Sequence, residues 1–408
     1  ADITAFREVR EVTGYEAFFS VKKESGLARI CKIHLTELEE THPLGRLFDI
    51  DVLMPDGTKV SRESLGYAGR TCLLCDRPAF LCGRSRTHTA QELVEREISL
   101  MRDFFVERFS VHIGLLMQKA LFYEVNTTLK PGLVDLMHNG AHTDMDRYTF
   151  RDSAYALTSY FIEVTRQGME FALKEGKEED LPELFASIRP LGIAAETAMK
   201  QATGGVNTHK GMIFSGGILC CALGYDMVSR DAGGSFRLKY ANPGEAFPHL
   251  ETTVRQMLVH LPDDFQRLDT SHAASHGEWL YRQYGITGIR GEAHLGFPSL
   301  FHMGYPLFLR VLAHGGSLNE AGCITLLHYM AETEDSNLIT RSGYETAAKI
   351  RRELKRFLEY ASYEEQLAVL PRLDDHFVRN HISPGGSADM LALTYFLYFT
   401  GILPCRWD

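Results

Sequence analysis

From Thr89 onward, apolar residues recur at spacings of three and four, the period of a helix with one buried face. Leu93, Ile98, Met101, Phe104, Phe105, Phe109, Ile113, Leu116, Met117 and Leu121 mark one long stretch. Thr89, with Glu92 three residues later, reads as the capping box that starts it. The same spacing predicts helices over 150–168, 181–199, 212–228, 247–261, 275–284, 298–314, 318–333, 344–360, 364–370 and 388–400. No alternating strand is expected after residue 100. The first part has a different texture. Residues 15–21 and 28–33 read as strand-like or short buried pieces, and 36–40 as the end of a short helix. Residues 47–52 alternate apolar with acidic side chains, the mark of a half-buried strand. Pro55-Asp56-Gly57 then predicts a turn, with Val60 opening the return strand. The expected fold is mostly α: an all-α multi-helix domain over 101–408 and a small α+β domain over 1–100.

Composition narrows the class. The chain has 408 residues, 45% hydrophobic and 24% charged, which suits a soluble globular protein of two or three domains. A net charge of −10 argues against a nucleic-acid partner, whose phosphates would be repelled. The longest apolar runs, 212–225 and 390–403, are too short for a membrane span and are flanked by Asp226 and Asp389, so they read as buried core helices. No signal peptide is visible, and Cys31, Cys220, Cys221, Cys323 and Cys405 are scattered as in a reduced, cytosolic protein. Because the chain begins at Ala1 without a methionine, it is expected to be a processed or excised piece of something longer.

The densest chemistry lies at residues 130–146. Lys130, Asp135, His138, Asn139, His142, Asp144 and Asp146 share this stretch with the helix breakers Pro131, Gly132 and Gly140. Three aspartates so close together need a cation or hydrogen-bond donors among them. Four further polar junctions separate the helices. One carries Gly204, Gly205, Asn207, Thr208, His209 and Lys210 ahead of an apolar helix, where free N–H groups favour phosphate. The others hold Arg290, Glu292 and His294; Asp335, Asn337 and Arg341; and Gly385, Gly386, Ser387 and Asp389. Each alone is equally a cap or a turn. Five in one helical domain point to helix ends gathered around a cleft for a phosphorylated ligand.

The first part offers two motifs. Asp49 and Asp51 share one face of the expected strand, so both can hold one Mg²⁺, with Arg46 near a phosphate. Cys72, Cys75, Cys82 and His88 form a cluster that reads as a zinc site, as a redox-active cysteine pair or, with Arg84 and Arg86, as an anion site.

Taken in order, the five junctions of the helical part resemble the triphosphoribosyl-dephospho-coenzyme A synthase family over about residues 105–405. The resemblance implies an all-α pentosyltransferase that moves the 5-triphosphoribosyl group of ATP to the 2′-hydroxyl of 3′-dephospho-coenzyme A and releases adenine. The product is the precursor of the prosthetic group of citrate lyase or of malonate decarboxylase. For that chemistry Asp135, Asp144, Asp146 and Glu292 are the candidate catalytic carboxylates, with Asp144 and Asp146 also on Mg²⁺. Lys130, His209, Lys210 and Arg290 are expected on the triphosphate. Asn139, His142, Gly204, Gly205, Asn207, Thr208, Asn337, Arg341, Gly385 and Gly386 complete the substrate-binding set. His-Pro-Leu-Gly-Arg-Leu-Phe-Asp-Ile-Asp-Val (42–52), together with the cysteine cluster, resembles the citrate lyase holo-acyl-carrier-protein synthase family, which is nucleotidyltransferase-like. Only the C-terminal half of that pattern is present, so the first part is expected to be a fragment, with the acyl carrier protein as its partner. The competing expectations are a metal-dependent nucleotide phosphohydrolase built on His138, His142, Asp144 and Asp146, and a carrier-protein docking scaffold without chemistry.

Overall fold

Strands β1 (Ile3–Glu11) and β2 (Gly14–Val21) pair antiparallel at the start of the chain. The computed structural model describes residues 2–11, 14–22, 26–174, 177–230, 236–238, 247–262 and 276–401. Helix α1 (Leu27–Thr41) begins after a left-handed Gly26 (φ 77°), so residues 28–33 are helical rather than strand-like. Its buried positions are polar: Lys32, Thr36 and Glu39, at helical spacing. This inverted pattern hid the helix from a search for apolar periodicity.

The alternation at 47–52 does not make a strand either. Gly45–Leu47 is a 3₁₀ turn, and pairing beyond it is limited to a bridge between Leu53 and Lys59. The backbone groups find side-chain partners instead. Arg70 donates to the Phe48 carbonyl at 2.6 Å, Lys32 donates to the Ile50 carbonyl at 2.7 Å, and Ile50 N–H donates to Glu39 at 3.1 Å. The turn at Pro55–Gly57 forms as expected, with Thr58 N–H on Asp56 Oδ1 at 2.9 Å. After α2 (Ala79–Ser85) comes the long helix α3 (Ala90–Asn126). The capping box starts α3: Thr89 N–H donates to Glu92 at 2.7 Å, and Glu92 N–H donates to Thr89 Oγ1 at 3.1 Å. The chain forms two compact units, Ala1–Phe105 and Val106–Asp408, and α3 runs unbroken through residue 100.

The second unit is built from α4 (Arg147–Leu173), α5 (Leu181–Ala202) and α6 (Lys210–Met227), followed by α7 (Phe247–Met257), α8 (His276–Tyr284) and α9 (Gly288–His294). A π-helical stretch, Ser299–Gly304, leads into α10 (Tyr305–Ala313). Then come α11 (Leu318–Glu332), α12 (Ser336–Ser342), α13 (Tyr344–Leu358), α14 (Tyr363–Arg379) and α15 (Gly385–Gly401). Three expectations change here. Val228 leaves the helix for a short hairpin, β3 (Val228–Arg230) with β4 (Phe236–Leu238), too short to show a period in sequence. Helix α14 continues past Pro371, where the sequence reads as a stop. The junction at 333–343 is itself mostly a helix, α12.

Helices α6 and α15 are buried almost all round and carry the core. Helix α6 approaches α4 backbone to backbone. A Cβ on Gly168 would lie 2.0 Å from the Cys221 carbonyl oxygen, and one on Gly224 would lie 2.3 Å from that of Thr165. Since backbone on both sides cannot yield, Gly168→Ala is expected to destabilise the chain by about 3 kcal/mol in urea unfolding, with the helical content of the folded protein retained.

Candidate active site

Helix α3 ends at Asn126, and the loop after it turns inward rather than out to solvent. Lys130 is 1% exposed, and its ammonium pairs with the buried carboxylate of Glu124 in the last turn of α3. Asp135 is buried too. It accepts from the N–H groups of Lys130 (3.1 Å), Met137 (2.7 Å) and His138 (3.3 Å), so it shapes the loop. Asp374 of α14 pins the loop from the other side: it accepts Gly132 N–H at 2.9 Å and lies 2.8 Å from His138 Nε2. Gly132 is left-handed (φ 70°), and a Cβ there would meet the Ile382 carbonyl at 2.2 Å. His142 Nε2 lies 2.8 Å from Ser383 Oγ, and its Nδ1 lies 3.2 Å from Arg341 and 3.8 Å from Asp144. Burial and the Arg341 guanidinium lower the His142 pKa. Asp144 and Asn139 are exposed. Asp146 caps α4, its Oδ1 accepting Tyr148 and Thr149 N–H at 2.9 and 2.8 Å, and those bonds lower its pKa.

The junction before α6 departs from the expectation of a phosphate cradle. Gly204 (φ 64°) and Gly205 (φ 95°) close α5, with Gly205 N–H on the Lys200 carbonyl at 2.7 Å. Asn207 is exposed, and Thr208 donates to Ser153 Oγ at 2.7 Å. His209 is buried, with Nδ1 2.7 Å from Ser153 Oγ and Nε2 without a hydrogen-bond partner. Burial, helped by the nearby Lys130 charge, pushes its pKa down to about 3, so it is a neutral packing residue and not a phosphate-binding cation. Lys210 is exposed and reaches Glu196 of α5 at 3.1 Å.

A single carboxylate joins the next two junctions. Asp335 caps α12 through the N–H groups of Asn337 (2.9 Å) and Leu338 (3.0 Å), and it accepts Ser387 N–H at 2.7 Å and Ser387 Oγ at 3.0 Å at the start of α15. Glycines allow this approach: a Cβ on Gly386 would lie 3.0 Å from the Asp335 carboxylate, and one on Gly385 would lie 2.7 Å from Asn337 Nδ2. One turn on, Asp389 rests against Gly211 of α6, where a Cβ would lie 1.8 Å from its Oδ2. Burial raises the pKa of Glu124, Asp335 and Asp389, and Asp389 is raised further by the charges of Glu124 and Asp335. Four of the five junctions are therefore linked electrostatically: Lys130 acts on Glu124 and His209, and Glu124 and Asp335 act on Asp389. The fifth reaches α15 through α11. Glu292 accepts Ser299 N–H at 2.7 Å and acts on Tyr329, whose hydroxyl lies 2.7 Å from Thr394 Oγ1 of α15; Arg290 sits on the same short helix.

Glu124 was not among the sequence candidates, and Asp389 was named at its junction without a role, though both leave a signal. Glu124 falls on the apolar stripe of Met117 and Leu121, and Asp389 is the single charge in the apolar run 385–401. The phosphohydrolase arrangement is not assembled, since His138 and His142 turn to Asp374 and Ser383. Among the described residues, the one group of three or more His, Cys, Asp or Glu with ligand atoms within 4.8 Å is Cys72, Cys75, Cys82 and His88. Asp49 and Asp51 lack the expected strand to align them. They pair with Arg70 at 3.6 Å and Lys59 at 2.7 Å, while Arg46 donates to the Thr71 carbonyl at 2.5 Å.

Residues 110–403 match the family described as ATP:dephospho-CoA triphosphoribosyl transferase, and residues 1–104 match that described as apo-citrate lyase phosphoribosyl-dephospho-CoA transferase. The chain is 35% identical to Protein CitXG of Haemophilus influenzae, over 98% of this chain and 83% of that protein. It is 34% identical to Protein CitXG of Leuconostoc mesenteroides, over 95% and 81% respectively. A 2-(5''-triphosphoribosyl)-3'-dephosphocoenzyme-A synthase of Haemophilus ducreyi is 34% identical over 81% of this chain and all of that protein.

The buried His209 makes stability depend on pH in a defined direction. Its folded pKa lies below the ordinary 6.5, so the unfolded chain takes up the proton first as pH falls. Its contribution is intact above pH 6.5 and declines from there toward pH 3. Urea unfolding should show the wild type losing roughly 2 kcal/mol more than His209→Asn between pH 7 and 5.

Proposed function

The chain belongs to the ATP:dephospho-CoA triphosphoribosyl transferase family, and on that premise we propose that it transfers the 5-triphosphoribosyl group of ATP to the 2′-hydroxyl of 3′-dephospho-CoA. Adenine leaves as the bond from ribose C1′ to the base breaks and the bond from C1′ to the acceptor oxygen forms. The observation that carries the reading at the site is a set of carboxyls with raised pKa, the buried Glu124 and Asp335 and the half-buried Asp389, gathered with the buried ammonium of Lys130.

The chemistry asks for such a set. Departure of the base builds positive charge on the ribosyl ring, which nearby carboxylates stabilise. The leaving adenine needs a proton, and a carboxyl kept protonated by burial can donate one; Asp389 is assigned this role. The acceptor hydroxyl must lose a proton, and Asp144 and Glu292 are the carboxylates assigned to receive it. Asp135 and Asp146 become positioning residues, because backbone N–H groups already engage them. Lys210, Arg341, Asn139 and Asn337 are assigned to the triphosphate. Mg²⁺ is proposed to accompany ATP, since the acidic excess over Lys130 suits a divalent cation. Asp144 would hold it, and it would neutralise the triphosphate. No helix among the described residues is long and apolar enough to cross a membrane, which is compatible with the proposed cytosolic setting.

For the first unit we infer a part in attaching the product to the acyl carrier protein of citrate lyase, supported by its match over residues 1–104. The two halves would then make and use the same group, which favours the citrate lyase route over malonate decarboxylase.

Incubation with ATP, Mg²⁺ and 3′-dephospho-CoA should yield adenine and a triphosphoribosylated product in equal amounts by mass spectrometry. ADP or phosphate without adenine would instead indicate a phosphohydrolase, and added apo carrier protein left unmodified would reduce the first unit to a docking role. Gly211→Ala should displace Asp389 without disturbing backbone. Adenine release is expected to fall at least about tenfold while the Tm stays within a few degrees.

A further inference from the structure

The first unit has almost no apolar core. Among its described residues, the buried side chains are Lys32, Thr36, Glu39 and Cys82, and Cys82 alone is apolar. A unit of this size that buries so little apolar surface needs a cross-link or a metal to hold its fold. Cys82 sits in the place where such a device would act.

Residues 70–79 form a tight hairpin. Cys72 N–H donates to the Arg77 carbonyl at 2.7 Å, Ala79 N–H donates to the Arg70 carbonyl at 2.8 Å, and Thr71 bridges to Pro78. The tip presents Cys72 and Cys75. Leu74 N–H points at Cys72 Sγ from 3.5 Å, and Arg77 N–H hydrogen-bonds Cys75 Sγ. Each sulfur thus accepts the backbone N–H two residues on, an arrangement that stabilises thiolates. Helix α2 brings in Cys82, and the turn before the capping box of α3 brings in His88. Cys75 Sγ lies 3.5 Å from Cys82 Sγ and 3.4 Å from His88 Nε2, and all four donor atoms lie within 4.8 Å of one another. A tetrahedron with Zn–S bonds of about 2.3 Å has sulfur–sulfur edges near 3.8 Å. The cluster is therefore close to that size, and it is far wider than a disulfide at about 2.05 Å. All the cysteines of this unit are free.

We propose that Cys72, Cys75, Cys82 and His88 bind one zinc ion, which ties the 70–79 hairpin, α2 and the start of α3 together in place of an apolar core. Four protein ligands close the coordination sphere, so the ion is structural and takes no part in group transfer. The three thiols lose their protons on binding, which makes zinc retention weaker in acid.

The test uses the full chain purified without a metal-affinity tag. Elemental analysis should find one zinc per chain, retained by Cys31→Ser and lost or strongly reduced in Cys82→Ser and His88→Ala. If those variants fail to fold, mercurial titration of the wild type should release the zinc into a chromogenic chelator as three thiols react. Exchange with Co²⁺ should produce the intense visible bands of a tetrahedral thiolate site. Folded wild type with no zinc and no cobalt spectrum would overturn the proposal, as would zinc unaffected by Cys82→Ser in a folded chain. A Cys75–Cys82 disulfide in freshly purified protein would overturn it in favour of redox chemistry. None of these readouts depends on transferase activity.

Discussion

The Lys130–Glu124 ion pair is the contact on which the rest of the second unit's polar centre depends. Two charges removed from water at the end of α3 cost several kcal/mol each unless they face one another with good geometry. Once they do, the surroundings are constrained. The main chain at Lys130 must follow the ammonium inward, so Asp135 closes the turn on Lys130 N–H and Asp374 holds the far side through Gly132 and His138. His209 must stay neutral beside a positive charge in a dry site. Burial raises the pKa of Asp335, and Asp389 then lies in the fields of both Glu124 and Asp335, which makes it harder still to ionise. The result is a polar centre short of cations, at the meeting point of the ends of α3, α6, α12 and α15. Such a centre suits a substrate that brings its own metal ion and whose reaction develops positive charge.

The helices were legible because their apolar periods are long and clean, and the capping box at Thr89 and Glu92 fixed the start of α3 to the residue. The five polar junctions were legible as a set, and with them the family. Individual roles were harder to read, for a physical reason. Asp, Asn, Gly and His serve equally as helix caps, turn formers and ligands. Asp146 caps α4, Gly204 and Gly205 end α5, and Asp135 builds a turn, yet in sequence each looks like chemistry. Conversely, Glu124 was hidden inside a helix because a lone acid on an apolar stripe resembles noise until burial is known. In the first unit the failure ran the other way. The buried face of α1 is Lys32, Thr36 and Glu39, so a rule that equates buried with apolar misreads it.

The two units thus keep their folds by different means. The second has broad apolar helices, α6 and α15, with glycines at Gly168 and Gly224 that let backbones meet. The first relies on charged and polar ties: Arg70 and Arg62 on the buried Glu39, and Lys32 on the Ile50 carbonyl, beside the cysteine and histidine cluster. Polar ties of this kind are sensitive to pH and salt, so the first unit should respond more strongly to both than the second.

A double-mutant cycle on the buried pair tests the central claim most directly. Stability by urea unfolding would be measured for the wild type, Lys130→Met, Glu124→Gln and the combined variant. If the pair organises the site, Lys130→Met alone should cost about 3–5 kcal/mol, because it leaves Glu124 buried and uncompensated, and adding Glu124→Gln should recover most of that loss. A combined variant no more stable than Lys130→Met would contradict the account, for it would mean that the ammonium does not hold its place through Glu124.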